Sequence, residues 1–215
     1  MADQHWDEVY RCKAPDSISW YQPSPEPSLE ALDRFHVPNT ASLIDIGGGA
    51  SSLVDCLIDR GWSDLSVLDI AGAALEVAKT RLGPSADRVR WEVADISGWV
   101  PDRTYDVWHD RAVFHFLTNA EHRDGYRRAM AGGVARNGLV VMATFALDGP
   151  DRCSGLPVQR YEASGLLAEM GPGYQLLENW REQHTTPGGG KQAFNWCVFR
   201  RIPWSDPAKE ALPSV

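Results

Sequence analysis

Apolar residues recur along this chain in two rhythms, short solid runs and longer stretches at helical spacing. Leu43, Ile44 and Ile46 form a run that reads as a buried parallel strand. Gly47, Gly48 and Gly49 follow directly, and from Ser51 a helical spacing sets in with Leu53, Val54, Leu57 and Ile58. The alternation then repeats. Residues 65–70 read as a strand ending in Asp69 and Ile70, residues 72–81 as a helix with Ala74, Leu75 and Ala78 apolar, and residues 89–93 as a strand leading to Ala94, Asp95 and Ile96. A fourth strand at residues 105–109 runs into Asp110 and Arg111. Residues 121–131 read as an amphipathic helix, Tyr126 and Met130 inward and Arg123, Arg127 and Arg128 on a solvated face. Gly138 ends that connection, and residues 139–145 read as a buried fifth strand.

Strands alternating with helices predict an α/β fold with a doubly wound, mostly parallel sheet. The end of the chain departs from that rhythm. A Gly/Pro-rich loop at residues 148–157 precedes a helix at 161–170, and residues 174–180 and 192–200 read as an antiparallel hairpin turning at 187–190. The beginning is unusual too. Residues 3–13 predict a short helix with Trp6, Val9 and Tyr10 on one side, Trp20 and Tyr21 follow, and Pro23, Pro25 and Pro27 lead to Ser28 as the expected cap of a helix through Leu29, Leu32 and Phe35. Each aromatic alone fits an ordinary packed arm; together they suit a lid over a pocket, spanning residues 1–30.

Strand, glycine turn and helix together put a nucleotide-like ligand at a helix N-terminus, where a Cβ would obstruct the backbone. Asp69, at the tip of the next strand, is placed to accept hydrogen bonds from both hydroxyls of a ribose. A glycine turn that only packs helix on sheet is the bland alternative. A dinucleotide would favour a third glycine where Ser52 stands, and Asp45 would repel a pyrophosphate. A carboxylate at Asp45 suits a cation instead, such as the ammonium of S-adenosyl-L-methionine. Asp95 and Ile96 suit an adenine, the acid accepting from the exocyclic amine and the isoleucine packing on the ring.

Composition narrows the class. A chain of 215 residues with a net charge of −8 is most simply one domain, and it lacks the basic excess that sequence-independent nucleic-acid binding needs. Cys12, Cys56, Cys153 and Cys197 show no metal or disulfide spacing, so no metal is expected. No apolar run is long enough to span a bilayer and the N-terminus lacks an apolar export signal, which together point to a cytoplasmic protein.

The residues Asp45-Ile-Gly-Gly-Gly with Asp69 downstream resemble the first two motifs of class I S-adenosylmethionine-dependent methyltransferases, and the likeness runs over residues 5–200. More narrowly, Trp6, Tyr10 and Ser19-Trp-Tyr-Gln are similar to the opening of thiopurine and thiol methyltransferases. The segment Trp108-His-Asp-Arg-Ala is similar to their Trp-Asp-Arg-Gly, with one residue extra or shifted and Ala112 in place of glycine. The resemblance implies the Rossmann-like methyltransferase fold, one domain over residues 1–203; the last stretch, 204–215, reads from the sequence itself as a disordered tail. It implies S-adenosyl-L-methionine held by Asp45, Gly47, Gly49, Asp69, Ile70, Asp95 and Ile96, with Trp6, Tyr10 and Trp20 over it. Arg111 then stands beside a small-molecule acceptor, and Asp110 is a candidate base or cofactor contact. Small protein-lysine methyltransferases look similar in the same regions. The amine-methylating motif Asn/Asp-Pro-Pro-Tyr/Phe is absent after the fourth strand, against an adenine or glutamine acceptor.

Arg111 without a clear histidine base favours an acidic nucleophile, a thiol first, because a thiol ionises near neutral pH with little help. His109 and His115 read first as packed histidines, His184 as a surface residue, and Cys153 as an inert thiol within reach of the site. Protein-lysine methylation and a non-catalytic cofactor-binding module are the competing readings. The oligomeric state is left open.

Overall fold

In the computed structural model the described residues are 2–12 and 17–203; the tail expected at 204–215 lies outside them. The first helix, α1 (Ala2–Cys12), is followed by α2 (Glu26–Arg34). α2 starts earlier than the sequence suggests: Pro25 is its cap residue and Pro27 sits in the first turn, where a missing N–H costs nothing. Ser28 is therefore inside the helix, buried, and not its cap. Then come β1 (Leu43–Ile46), α3 (Leu53–Asp59), β2 (Leu65–Asp69), α4 (Gly72–Leu82) and β3 (Val89–Val93). β4 (Tyr105–Arg111), α5 (Ala120–Gly133) and β5 (Val134–Phe145) follow. Two short strands, β6 (Arg152–Cys153) and β7 (Leu156–Pro157), make a small hairpin of the Gly/Pro-rich loop. The chain closes with α6 (Ala163–Met170), β8 (Tyr174–Thr185) and β9 (Lys191–Arg201).

The main sheet has the order β3-β2-β1-β4-β5-β9-β8. β1 pairs in parallel with β2 and β4, β2 with β3, and β4 with β5. β9 runs antiparallel to both β5 and β8, so the terminal hairpin folds its second strand inward between them. Chain order reverses beside β1, and the crevice at the carboxyl ends of β1 and β4 is where such sheets take ligands.

Helices cover both faces because every residue of β1 and β2 is buried, the mark of a central parallel strand. On one face Leu43, Val67, Val107 and Trp196 pack against Leu29 and Leu32 of α2 and Leu53, Val54 and Leu57 of α3. On the other, Ile44, Ile46, Trp108 and Met142 pack against Tyr126 and Met130 of α5 and Leu166 and Met170 of α6. β5 begins at Val134, earlier than expected, with an irregular register between Tyr105 and Val107 of its partner that absorbs Asn137 at φ 63°. Arg123 and Arg127 are not simply solvated: both pair with Glu169, tying α5 to α6. No helix among the described residues is long and apolar enough to cross a membrane.

Candidate active site

The carboxyl ends of β1 to β4 and the N-terminal arm enclose a cavity of about 280 Å³, close to the lower end of the range for small-molecule sites. Its wall includes Gly47 after β1, Asp69 and Ile70 at the end of β2, Asp95 and Ile96 after β3, and Arg111 to Val113 at the end of β4. The arm contributes Trp6, Tyr10 and Trp20, and the β6–β7 hairpin contributes Cys153, Leu156 and Pro157. The structure thus brings nine of the residues singled out in the sequence to one chamber: Trp6, Tyr10, Trp20, Gly47, Asp69, Ile70, Asp95, Ile96 and Arg111.

Gly47 and Gly49 have φ of 67° and 31°, and a Cβ on Gly49 would lie 2.5 Å from Asp69 Oδ2. Asp69 is only 6% exposed, with Oδ1 accepting the Ala71 N–H at 2.8 Å. Burial pushes its carboxyl up to about 7, aided by the nearby Asp45 and Asp7 carboxylates and opposed by the backbone N–H groups of Ala71 and Ile70. Asp95 is more open, and its Oδ1 accepts from Ser97 N and Oγ at 2.8 and 2.7 Å. Over these acids, Trp6 meets Trp20 and Phe116 edge to face at 5.5 and 5.1 Å, and Trp20 Nε1 donates to Tyr10 Oη. Asp7 Oδ1 accepts the Ala73 N–H at the start of α4, which pins α1 across the ends of the strands.

Three assignments change, those of Asp110, Asp45 and Gly49. Asp110 is fully buried and not in the cavity wall. Its carboxylate accepts from Tyr126 Oη at 2.6 Å and from the Val113 and Phe114 N–H groups, so it holds the turn after β4 and has no route to a substrate. Successive strand side chains point to opposite faces, and Asp110 shares the face of Trp108, whose indole donates to Tyr126 at 2.8 Å. Asp45 also stands outside the wall: Oδ1 lies 2.7 Å from His109 Nδ1, and a Cβ on Gly48 would lie 2.5 Å from Oδ2. Gly49 supports Asp69 from behind and is not itself in the wall.

His109 completes a buried Ser28–His109–Asp45 chain, Nε2 lying 2.9 Å from Ser28 Oγ. These residue types suggest nucleophilic catalysis, but Ser28 is 1% exposed inside α2 and the set fastens α2 to β1 and β4. His115 is packed as expected: Nδ1 accepts the Phe145 N–H, and burial and the Arg111 charge push the ring down to about 3. His184 is buried, not superficial, because it meets the Ser19 carbonyl of the arm at 2.9 Å. Cys153 lies in the wall, with its thiol pushed up to about 11 by burial. The sequence did not single out Phe116 and Thr118, which enter the wall through a tight turn after β4; the signal available was Ala112, at φ 74° where glycine is the easy residue.

No protein-family model matches the chain. Over 107 residues it is 31% identical to a trans-aconitate 2-methyltransferase of Rhizobium rhizogenes, covering 49% of this chain and 40% of that protein, so the match spans well under half the relative's length. A structure of an S-adenosylmethionine-dependent methyltransferase from Anabaena variabilis superposes with a TM-score of 0.72 at 16% identity, covering 93% of each chain. The N-methyltransferase NodS of Bradyrhizobium japonicum, solved with S-adenosyl-L-homocysteine, superposes at 0.69 with 17% identity, covering 94% of this chain and 100% of that one. The chain has the Rossmann-like methyltransferase fold, a mostly parallel sheet finished by an antiparallel C-terminal strand.

Proposed function

We propose that the protein is an S-adenosyl-L-methionine-dependent methyltransferase acting on a small-molecule nucleophile. The observation that carries this reading is one cavity with a ribose-type acid and bare glycine backbone on one side and Arg111 on the other, under an aromatic arm. The cradle fits the cofactor: a Cβ on Gly47 would lie 2.1 Å from Val113 Cγ2, and Asp69 is a buried acceptor at the cavity wall. Asp69 would hold the ribose, Asp95 and Ile96 the adenine, and Trp6, Tyr10 and Trp20 would cover them. When bound, the cofactor supplies a sulfonium methyl already activated for in-line displacement.

The chain's own share is alignment and exclusion of water, worth up to roughly 7–11 kcal/mol where reactants are well oriented. The arm supplies the exclusion. Cys153, with its raised thiol, is a spectator at neutral pH. The acids in the wall stand on the adenosine side, which leaves the acceptor end without a carboxylate base and suits a nucleophile that ionises easily. A small thiol is the first candidate of that kind. The trans-aconitate methyltransferase among the relatives supports a small-molecule acceptor in general.

Calorimetric titration with S-adenosyl-L-methionine, S-adenosyl-L-homocysteine and NAD, followed by labelled S-adenosyl-L-methionine with small thiols and with a cell lysate, tests the reading. Binding of the first two with label on a small thiol is the expected result. Label on a protein band would move the assignment to lysine methylation, binding without any transfer to a non-catalytic module, and NAD binding alone would overturn the reading.

A further inference from the structure

Arg111 ends β4 at the wall of the cavity, and its guanidinium is incompletely paired. Nη1 donates to the Trp20 carbonyl at 3.1 Å. Nε and Nη2 are buried and have no hydrogen-bond partner among the described residues. The cation also rests over the Phe194 ring, Cζ 4.7 Å from its centroid, a contact that neutralises no charge. The two negative groups that act on it through space are already engaged elsewhere. Glu182 accepts from Gln22 Nε2 and Trp196 Nε1, and Asp45 is held by His109. His115 Nε2 is a second buried nitrogen nearby without a partner.

Two guanidinium donors buried without a hydrogen-bond partner are a costly arrangement for a protein to keep. The identity of the free nitrogens is the informative part. Nε and Nη2 lie on the same edge of the guanidinium and form the fork that receives a carboxylate with two parallel bonds. The same fork is filled elsewhere in this chain, where Arg81 gives Nε to Asp55 Oδ1 at 2.8 Å and Nη2 to Asp55 Oδ2 at 2.7 Å. Around Arg111 the wall is apolar, with Ala112, Val113, Phe116, Leu156 and Pro157. A phosphate would bring a second charge to a wall that offers one cation, whereas a carboxylate brings one.

We infer that the acceptor end of the cavity recognises a small carboxylic acid with an apolar body, its carboxylate held by the Nε–Nη2 fork of Arg111. The inference rests on the methyltransferase reading and names its substrate class: the carboxylate orients the molecule, and the methyl goes to a nucleophile elsewhere on it. A mercapto acid satisfies both statements. Arg111 is then a binding residue of the acceptor side and independent of the cofactor's adenosine.

The test is calorimetry on protein saturated with S-adenosyl-L-homocysteine, titrated with acetate, benzoate and phenylacetate, each against its neutral amide. At least one acid is expected to bind roughly tenfold or more tightly than its amide, since a bidentate charged pair is lost in the amide. Arg111→Gln should weaken that acid by roughly 10- to 100-fold, and Arg111→Lys should not restore it, because lysine is a point charge without a fork. Binding of S-adenosyl-L-homocysteine within about threefold of the parent would show both variants folded. Acids and amides binding alike, or acid affinity retained in Arg111→Gln, would overturn the inference, and the wild-type comparison stands even where a variant does not fold. The same titrations on the free protein keep the two claims apart: failure of S-adenosyl-L-homocysteine alone would strike the cofactor reading and leave the anion site in place.

Discussion

Asp69 should make cofactor affinity depend on pH in a window where carboxylates normally have no say. Its side chain is buried at the tip of β2, and burial, with Asp45 and Asp7 adding to it, lifts the carboxyl to about 7. Tyr10 is the other titrating neighbour, and its hydroxyl is held protonated, chiefly by burial and then by the Asp69 charge. A carboxylate can accept from two ribose hydroxyls; a protonated acid has an O–H of its own and presents one acceptor fewer. Binding therefore selects the ionised form and must expel the proton when it is present. With a pKa of about 7 the ionised fraction falls from about nine-tenths at pH 8 to about one-tenth at pH 6, so affinity should weaken about tenfold over that interval. Near pH 7 binding should release about half a proton, visible as a dependence of the calorimetric heat on the ionisation enthalpy of the buffer.

The stability of the free protein moves the opposite way with pH. The folded pKa lies above the unfolded value of about 3.9, so the contribution of Asp69 to stability is full below pH 4 and is lost as pH rises through 7. Asp69→Asn should weaken S-adenosyl-L-homocysteine by roughly 10- to 100-fold, for the loss of charged hydrogen bonds, and should flatten the profile. A flat wild-type profile between pH 6 and 8, or a slope that survives in Asp69→Asn, would refute the reasoning.

Three further outcomes are expected. Tyr126→Phe removes a donor to Asp110 and strands the Trp108 indole, and urea denaturation should register a loss of about 2–4 kcal/mol. Ala112→Gly relieves a left-handed backbone and should raise stability by about 0.5–1 kcal/mol in the same assay, the gain being cut by glycine's greater unfolded freedom. Trp6→Ala removes the edges against Trp20 and Phe116 and opens the cover over the adenosine, and stopped-flow fluorescence should show S-adenosyl-L-homocysteine leaving about tenfold faster.

Strand tips were legible in the sequence and side-chain destinations were not always so. Asp69, Asp95 and Arg111 were readable because each stands at or just after the end of a strand, and a parallel sheet delivers strand ends to one edge. Asp110 misled because it neighbours Arg111 in a strand that stays extended through both, and the period of two sends adjacent side chains to opposite faces. Asp45 lies opposite His109 in the parallel register, a long-range pairing that spacing along the chain cannot reveal. His184 and Ser28 depend in the same way on where distant segments pass, the arm at Ser19 and the fourth strand at His109. Ala112 shows the reverse: it stands directly after a strand at φ 74°, a left-handed turn where glycine is the easy residue.

The inward fold of β9 has a consequence for how the molecule is made. β5 pairs with β4 on one side, but its other edge finds a partner only in residues 191–201. Residues 146–190 must be synthesised between the two, a delay of about 2–9 s at roughly 5–20 residues per second. Throughout that interval the nascent chain carries an open strand edge running from Leu139 to Phe145, apolar at every position but Thr144, the kind of template that invites pairing with another chain. β8 emerges before β9 as well and has no strand to join until the hairpin closes. The biosynthetic hazard of this protein is thus concentrated in one gap of its sheet, and the arrival of a single late strand ends it.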